Sequence, residues 1–228
     1  MSSSKENNRR NFIKGIGLGS LFLGSVQYGL NANTNKENKK PHYAMIYDQN
    51  KCVGCSDCEI ACQEINLVPK NQHRLYVEDQ TKPDDLQHKK YMRVSCQQCV
   101  DSPCTEVCPT GACHKDSITD IVTMDIDKCI GCKYCIVACP YDVRFINERT
   151  NAAENCNFCL NTNFAKGKDP ACVESCKYDA LVFGDLNDET AYINKILDVK
   201  DAVRLKPGFG TKPSLRYIPK LKTGVYDE

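Results

Sequence analysis

The stretch CVGCSDCEIAC, Cys52 to Cys62, places four cysteines in eleven positions, and CIGCKYCIVACP, Cys129 to Pro140, repeats the spacing and adds a terminal proline. The run CxxCxxCxxxC is the ligand spacing of cubane iron–sulfur clusters. Three cysteines on a tight loop can cap three irons of one cubane, while a fourth, just inside the following helix, points toward a second cluster. Gly54 and Gly131 sit inside these loops, where a residue without Cβ lets the backbone approach an inorganic core. Helical signals follow each loop, in EIACQEI and IVACPYDV.

Two modified copies complete the set. Cys96, Cys99, Cys104 and Cys108 form the second group, followed by Pro109; Cys156, Cys159, Cys172 and Cys176 form the fourth. Of 17 cysteines only Cys113 is left over. DQNKCVGCSDCEIAC aligns without gaps on DIDKCIGCKYCIVAC, and PCTEVCPTGA resembles ACVESCKYDA, so each half of a cluster pair recurs. The expected fold is therefore α+β: two fused bacterial-type ferredoxin-like units, each for two [4Fe–4S] clusters, over residues 41–206. Long loops are inserted from Gln63 to Ser95 and from Leu160 to Ala171.

Composition agrees with a chain held together by something other than oil. Hydrophobic residues make up 41% of the 228, a share that includes the cysteines. Without them the apolar share falls below that of a typical globular domain. The net charge of +1 gives no basic footprint for nucleic acid. No Ser/His/Asp set, phosphate-binding glycine loop or paired acid–base motif points to substrate chemistry. Cys113 and His114 do not make a c-type haem site, because the nearest upstream cysteine lies five positions away. Cys113 reads as a buried small hydrophobe, and His42, His73 and His88 as ordinary surface or loop residues.

Two other uses of the thiols compete. Zinc wants four ligands from two CxxC pairs, and three cysteines within seven residues exceed that. Disulfides suit an exported, cysteine-dense protein, but the odd total disfavours them, as does the N-terminus. There Arg9 and Arg10 precede Asn11, Phe12, Ile13 and Lys14, and a glycine-rich apolar run follows. Residues 1–32 resemble a cleavable twin-arginine signal peptide, and 33–40 a flexible tether. Twin-arginine export carries folded passengers, so the thiols would cross the membrane already bound to iron. No later segment is apolar enough to anchor the mature chain, which is expected in the periplasm, peripheral to the inner membrane. Residues 188–200 read as one amphipathic helix with Ile193, Ile196 and Leu197 on a face. Residues 207–228, rich in Pro, Gly and Lys, read as an extended tail.

From Pro41 to Tyr217 the sequence resembles the four-cluster iron–sulfur subunits of the dimethyl sulfoxide reductase superfamily. It is most similar to exported members serving tetrathionate, polysulfide or thiosulfate reductases, and to the electron-transfer subunit of the formate-dependent nitrite reductase system. HYAMIYDQNKCVGCSDCEIAC, SCQQCVDSPCTEVCPTGA, CIGCKYCIVACPYDVRFIN, PACVESC and LKPGFGTKPSLRYI carry the resemblance. It implies that the first group pairs with the fourth and the second with the third. Cys52, Cys55 and Cys58 would then share a cluster with Cys176, and Cys156, Cys159 and Cys172 with Cys62. Cys96, Cys99 and Cys104 would join Cys139, and Cys129, Cys132 and Cys135 would join Cys108. The resemblance further implies a non-catalytic electron-transfer subunit between an integral membrane quinol-oxidising subunit and a molybdopterin catalytic subunit. Gln63 and Lys177 depart from the pattern, standing where a proline often follows the fourth cysteine. Lys177 reads as a solvated side chain.

Overall fold

The computed structural model of the chain describes residues 39–83 and 89–221. The twin-arginine stretch, most of the tether, His88 and the last seven residues lie outside them. The apolar run YAMIY forms β1 (Tyr43–Asp48), the centre of a three-stranded sheet. On one side β1 pairs antiparallel with β8 (Leu181–Asp185), with Tyr47 opposite Leu181. On the other it runs parallel to β9 (Leu215–Ile218), with Tyr47 opposite Tyr217. The run lacks polar alternation because both faces are covered. Ala44 and Ile46 pack under helix α5 (Tyr192–Val199) with Ile193, Ile196 and Leu197, while Met45 and Tyr47 point with Leu215 and Tyr217 into a core that includes Cys62, Cys96, Cys156 and Cys172. Burying Ile193 alone is worth about 1.5–3 kcal/mol.

The stretch from residue 207 runs extended, and part of it is integral to the sheet. After a 3-10 turn at Pro207–Phe209, Leu215, Tyr217 and Ile218 are buried in β9, so position 206 marks no boundary of the folded body. A short apolar run was hidden there by the Pro, Gly and Lys around it.

Between β1 and β8 a module recurs: a cysteine loop, a short helix, then a hairpin that leads into the next group. Helix α1 (Asp57–Ile65) precedes hairpin β2 (Leu75–Asp79) and β3 (Tyr91–Ser95); α2 (Pro103–Glu106) precedes β4 (Cys113–Lys115) and β5 (Val122–Met124). Helix α3 (Tyr134–Val137) precedes β6 (Phe145–Ile146) and β7 (Ala153–Glu154), and α4 (Ala171–Glu174) precedes β8. The inserted loop from Gln63 is thus largely a hairpin. Helix α1 lies against α4, and α2 against α3.

Residues Ser56 and Lys133 enter α1 and α3 in the left-handed conformation, at φ 62° and 66°. The third cysteine of each group, Cys58, Cys104, Cys135 or Cys172, sits inside its helix. The fourth does so only in the first group. Cys108 and Cys139 lie just past the helix end, each before a proline, which disfavours helical backbone at the preceding residue, and Cys176 lies equally far past α4 without one. Gln63 in that place lets α1 run on to Ile65. Lys177 does not extend α4; Cys176 is already in a turn, closed by Asp179 N–H on its carbonyl at 3.2 Å.

Candidate metal centres

The helix pairs bring thiols from distant groups together. One small cavity is lined by Cys52, Cys55 and Cys58 from the first group and Cys176 from the fourth, with Tyr47, Val53 and Arg93. Another is lined by Cys96, Cys99 and Cys104 from the second group and Cys139 from the third, with Tyr141 and Arg144. Cys62 faces Cys156, Cys159 and Cys172, and Asn66 Nδ2 donates to the sulfurs of both Cys62 and Cys159 at 3.6 Å. Cys135 faces Cys108. Cys129 and Cys132 stand on the loop that enters α3, with Cys132 exposed. Cys96 in turn neighbours Cys156, which brings the second group beside the fourth.

All 17 cysteines are free thiols. Among the described residues no three His, Cys, Asp or Glu side chains converge as ligands of a single ion would. The sulfurs surround space instead, which suits a polynuclear core. Donors are already aimed at them. Backbone N–H groups of Ala180, Cys113 and Ala153 donate to the sulfurs of Cys176, Cys108 and Cys129 at 3.3, 3.3 and 3.4 Å. Asn155 Nδ2 donates to Cys96 Sγ at 3.7 Å. Hydrogen bonds to sulfur are a principal lever on cluster potential.

Burial makes these thiols poor thiolates when alone. It pushes Cys58 and Cys99 up to about 11 and Cys172 to about 12, and Cys62 and Cys96 higher still. Iron binding therefore releases protons and supplies the charge that the cavities need. Cys104 goes the other way, lowered to about 6 chiefly because the Cys113 S–H donates to it. The same bond pushes the Cys113 thiol up. The leftover cysteine, 1% exposed, is thus a hydrogen-bond donor to a candidate ligand as well as a packed side chain.

Several functional neighbours were missed from sequence. Gln98 Nε2 donates to the carbonyls of Cys156 and Val122 at 2.6 and 3.0 Å, tying the second group to the fourth. His42 is half-buried, not a plain surface residue, and its Nε2 lies 3.0 Å from Ser214 Oγ. Arg93 and Arg144 are buried beside the thiols. Alternation along YMRVSC, with Arg93 and Ser95 on the inward face of β3, is the one signal that pointed to Arg93. Lys177 is exposed and ion-paired with Asp57 at 3.1 Å.

A 4Fe–4S dicluster domain matches residues 87–186. The NrfC homolog of Haemophilus influenzae is 44% identical over 213 residues, covering 92% of this chain and 94% of that protein. A polysulfide reductase subunit of Wolinella succinogenes is 44% identical over 186 residues, 80% of this chain and 97% of its own. The thiosulfate reductase electron transfer subunit PhsB of Salmonella typhi is 44% identical over 149 residues, 64% of this chain and 77% of that protein. This protein belongs to the same family of iron–sulfur electron-transfer subunits. Its cofactors are iron–sulfur clusters, and its cysteine cavities are the features that such a subunit requires. No described helix is long and apolar enough to cross a membrane.

Proposed function

We propose that the chain holds four [4Fe–4S] clusters in two ferredoxin-like units and passes electrons from a quinol-oxidising membrane subunit to a molybdopterin reductase of the tetrathionate, polysulfide or thiosulfate type. The ligand sets are Cys52, Cys55, Cys58 with Cys176; Cys156, Cys159, Cys172 with Cys62; Cys96, Cys99, Cys104 with Cys139; and Cys129, Cys132, Cys135 with Cys108. The observation that carries this reading is the pair of cavities, each lined by three thiols of one group and the last thiol of a distant one. The packing of α1 on α4 and of α2 on α3 supports the same pairing.

When bound, the clusters supply one-electron redox chemistry. The chain's own residues hold them, donate hydrogen bonds to their sulfurs and exclude water. The proximity of Cys96 to Cys156 supports a path between the two units. Exposed Val53 and Tyr178 beside the first site, and Ile130, Tyr134 and Val137 beside the last, leave both ends open to partners. Arg9 and Arg10 support periplasmic export of the loaded protein by the twin-arginine route, with residues 1–32 removed.

A second reading, an electron-transfer role in a formate-dependent nitrite reductase system, rests on the NrfC relatives, which match over more of this sequence than the polysulfide reductase subunit does. Anaerobic purification of the native complex tests both. The main reading expects about sixteen irons per chain, for four cubanes, and a molybdopterin subunit alongside. A multihaem cytochrome partner would favour the second reading. Compactly folded material without iron or acid-labile sulfide would refute both.

A further inference from the structure

Among the described residues, each pair of thiol sets contains one buried cation without a carboxylate partner. Arg93 is completely buried; Nη1 donates to Ser95 Oγ, while Nε and Nη2 have no nitrogen or oxygen partner. Its guanidinium lines the first cavity and faces Cys58 of the first thiol set and Cys156 and Cys172 of the second. Arg144 is 6% exposed, and its Nε, Nη1 and Nη2 all lack a nitrogen or oxygen partner. It lines the cavity of Cys96, Cys99, Cys104 and Cys139 and also faces Cys135 of the remaining set.

A buried cation with idle donors is costly unless anions surround it. Here the anions at hand are thiolates, and in both cases they come from two neighbouring sets. Two other cations near the thiols are already neutralised. Arg74, near Cys62, is held by Glu154 at 3.0 Å, and Lys177 by Asp57.

We propose that Arg93 and Arg144 are inter-cluster charge bridges, one within each pair of clusters. This rests on the ligand sets proposed above. A cubane with four thiolate ligands is net-anionic in either oxidation state, and one unit more so when reduced. A guanidinium between two such bodies screens their repulsion and favours the reduced form of both. Its positive charge faces thiols of two sets at once. These are positioning and tuning residues; neither is a ligand or an electron carrier.

Redox titration of the full chain in its native complex, followed by electron paramagnetic resonance with iron counted on the same samples, tests the idea. In Arg93→Gln the reduced-to-oxidised ratio at a fixed potential should fall about tenfold for the clusters of the first and fourth groups, equivalent to about 59 mV for a one-electron couple. The other two clusters should hold. Arg144→Gln should give the reciprocal pattern. Arg93→Lys and Arg144→Lys keep the charge and should titrate near wild type, as should Arg74→Gln. Iron-replete glutamine variants that titrate like wild type would overturn the proposal, as would shifts shared equally by all four clusters. If a glutamine variant loses iron that its lysine counterpart keeps, charge at that position is required and the proposal stands. If both lose it, the position serves packing and the proposal fails. Wild-type protein with fewer than four clusters would instead refute the functional reading, so the two failures are distinguishable.

Discussion

Gly54 offers a clean test of how tightly the first cysteine loop is built. Its φ is +73°, and a Cβ placed there would lie 2.4, 2.6 and 2.8 Å from Cε1, Cζ and Cδ1 of Tyr91. Ordinary contact begins near 3.4 Å, so the ring must retreat by roughly 1 Å. The Tyr91 backbone cannot yield easily: it pairs with Asp79 across the hairpin, and its carbonyl accepts from Gln49 Nε2 at 3.1 Å. Left-handed backbone costs an alanine about 1–2 kcal/mol, and overpacking adds about 1–3 kcal/mol. Reduced freedom of the unfolded chain returns about 0.4–1 kcal/mol. Gly54→Ala should therefore destabilise by about 2–4 kcal/mol. Gly131, the corresponding glycine of the third group, also has positive φ (+66°), but its Cβ would meet only Asn151 O at 3.3 Å. Gly131→Ala should then cost only about 1 kcal/mol, the backbone part. The assay is anaerobic guanidinium unfolding followed by cluster absorbance and circular dichroism. Repeating Gly54→Ala in a Tyr91→Ala background should bring its cost down to that of Gly131→Ala. Equal costs at the two glycines, or no relief from removing Tyr91, would refute the steric argument.

Cys113→Ala should keep its full iron content while lowering the potential of the cluster held by Cys104, since only the S–H donor is lost; iron loss on analysis would make Cys113 a ligand. Gly184→Val should lift α5, because a Cβ there would lie 2.8 Å from Ile193 Cγ2, costing about 1–3 kcal/mol in thermal unfolding. Iron content should not change, since α5 covers the sheet face turned away from the cysteines. Lys200→Met removes a 2.7 Å ion pair to Asp48, which is 4% exposed, and should cost about 1 kcal/mol at pH 7. At Asp48 burial pushes the carboxyl up, but hydrogen bonds from Lys200 and Asn50 outweigh it and hold it below the usual carboxylate range. A depressed carboxyl adds stability above its unfolded value of about 3.9 and loses it as pH falls through the folded value. The cost of Lys200→Met should therefore be flat from about pH 8 to 5 in denaturant titrations; a slope within that window would contradict the assignment.

Much of the candidate site is legible because ligand spacing is a local property. The four cysteine groups, the glycines in their loops and the apolar face of α5 all depend on residues close in sequence. Distant pairing is another matter. YAMIY announces a buried strand but says nothing of its partners, and LRYI is too short to stand out beside Pro213 and Pro219. Arg93 and Arg144 look like any arginine until the fold sets thiols from two groups against each of them. Gln98 and Asn155 were invisible for a similar reason: their amide groups bridge carbonyls 58 and 33 positions away.

The strand hidden in the C-terminal stretch explains how the cysteine groups are held in one body. Cys52 N–H donates to Asp48 O at 3.3 Å, and Asp48 N–H to Ala180 O at 2.8 Å, so the β1 and β8 ladder fastens the start of the first group to the end of the fourth. Neither bond reaches the second group. A backbone link to it comes from the other edge of β1. Ser214 and Leu215 N–H groups donate to Gln97 O at 3.0 and 3.2 Å, and Val100 N–H donates to Lys212 O at 3.1 Å. Tyr217 OH completes the junction by donating to Arg93 O at 3.1 Å and accepting from Gln97 Nε2 at 2.9 Å. The parallel pairing of β9 with β1, together with the Gln98 bond to Cys156 O, thus fixes the second cysteine group to the first and fourth. On the ligand sets proposed above, that junction between cluster pairs is held in part by a strand that contains no ligand at all.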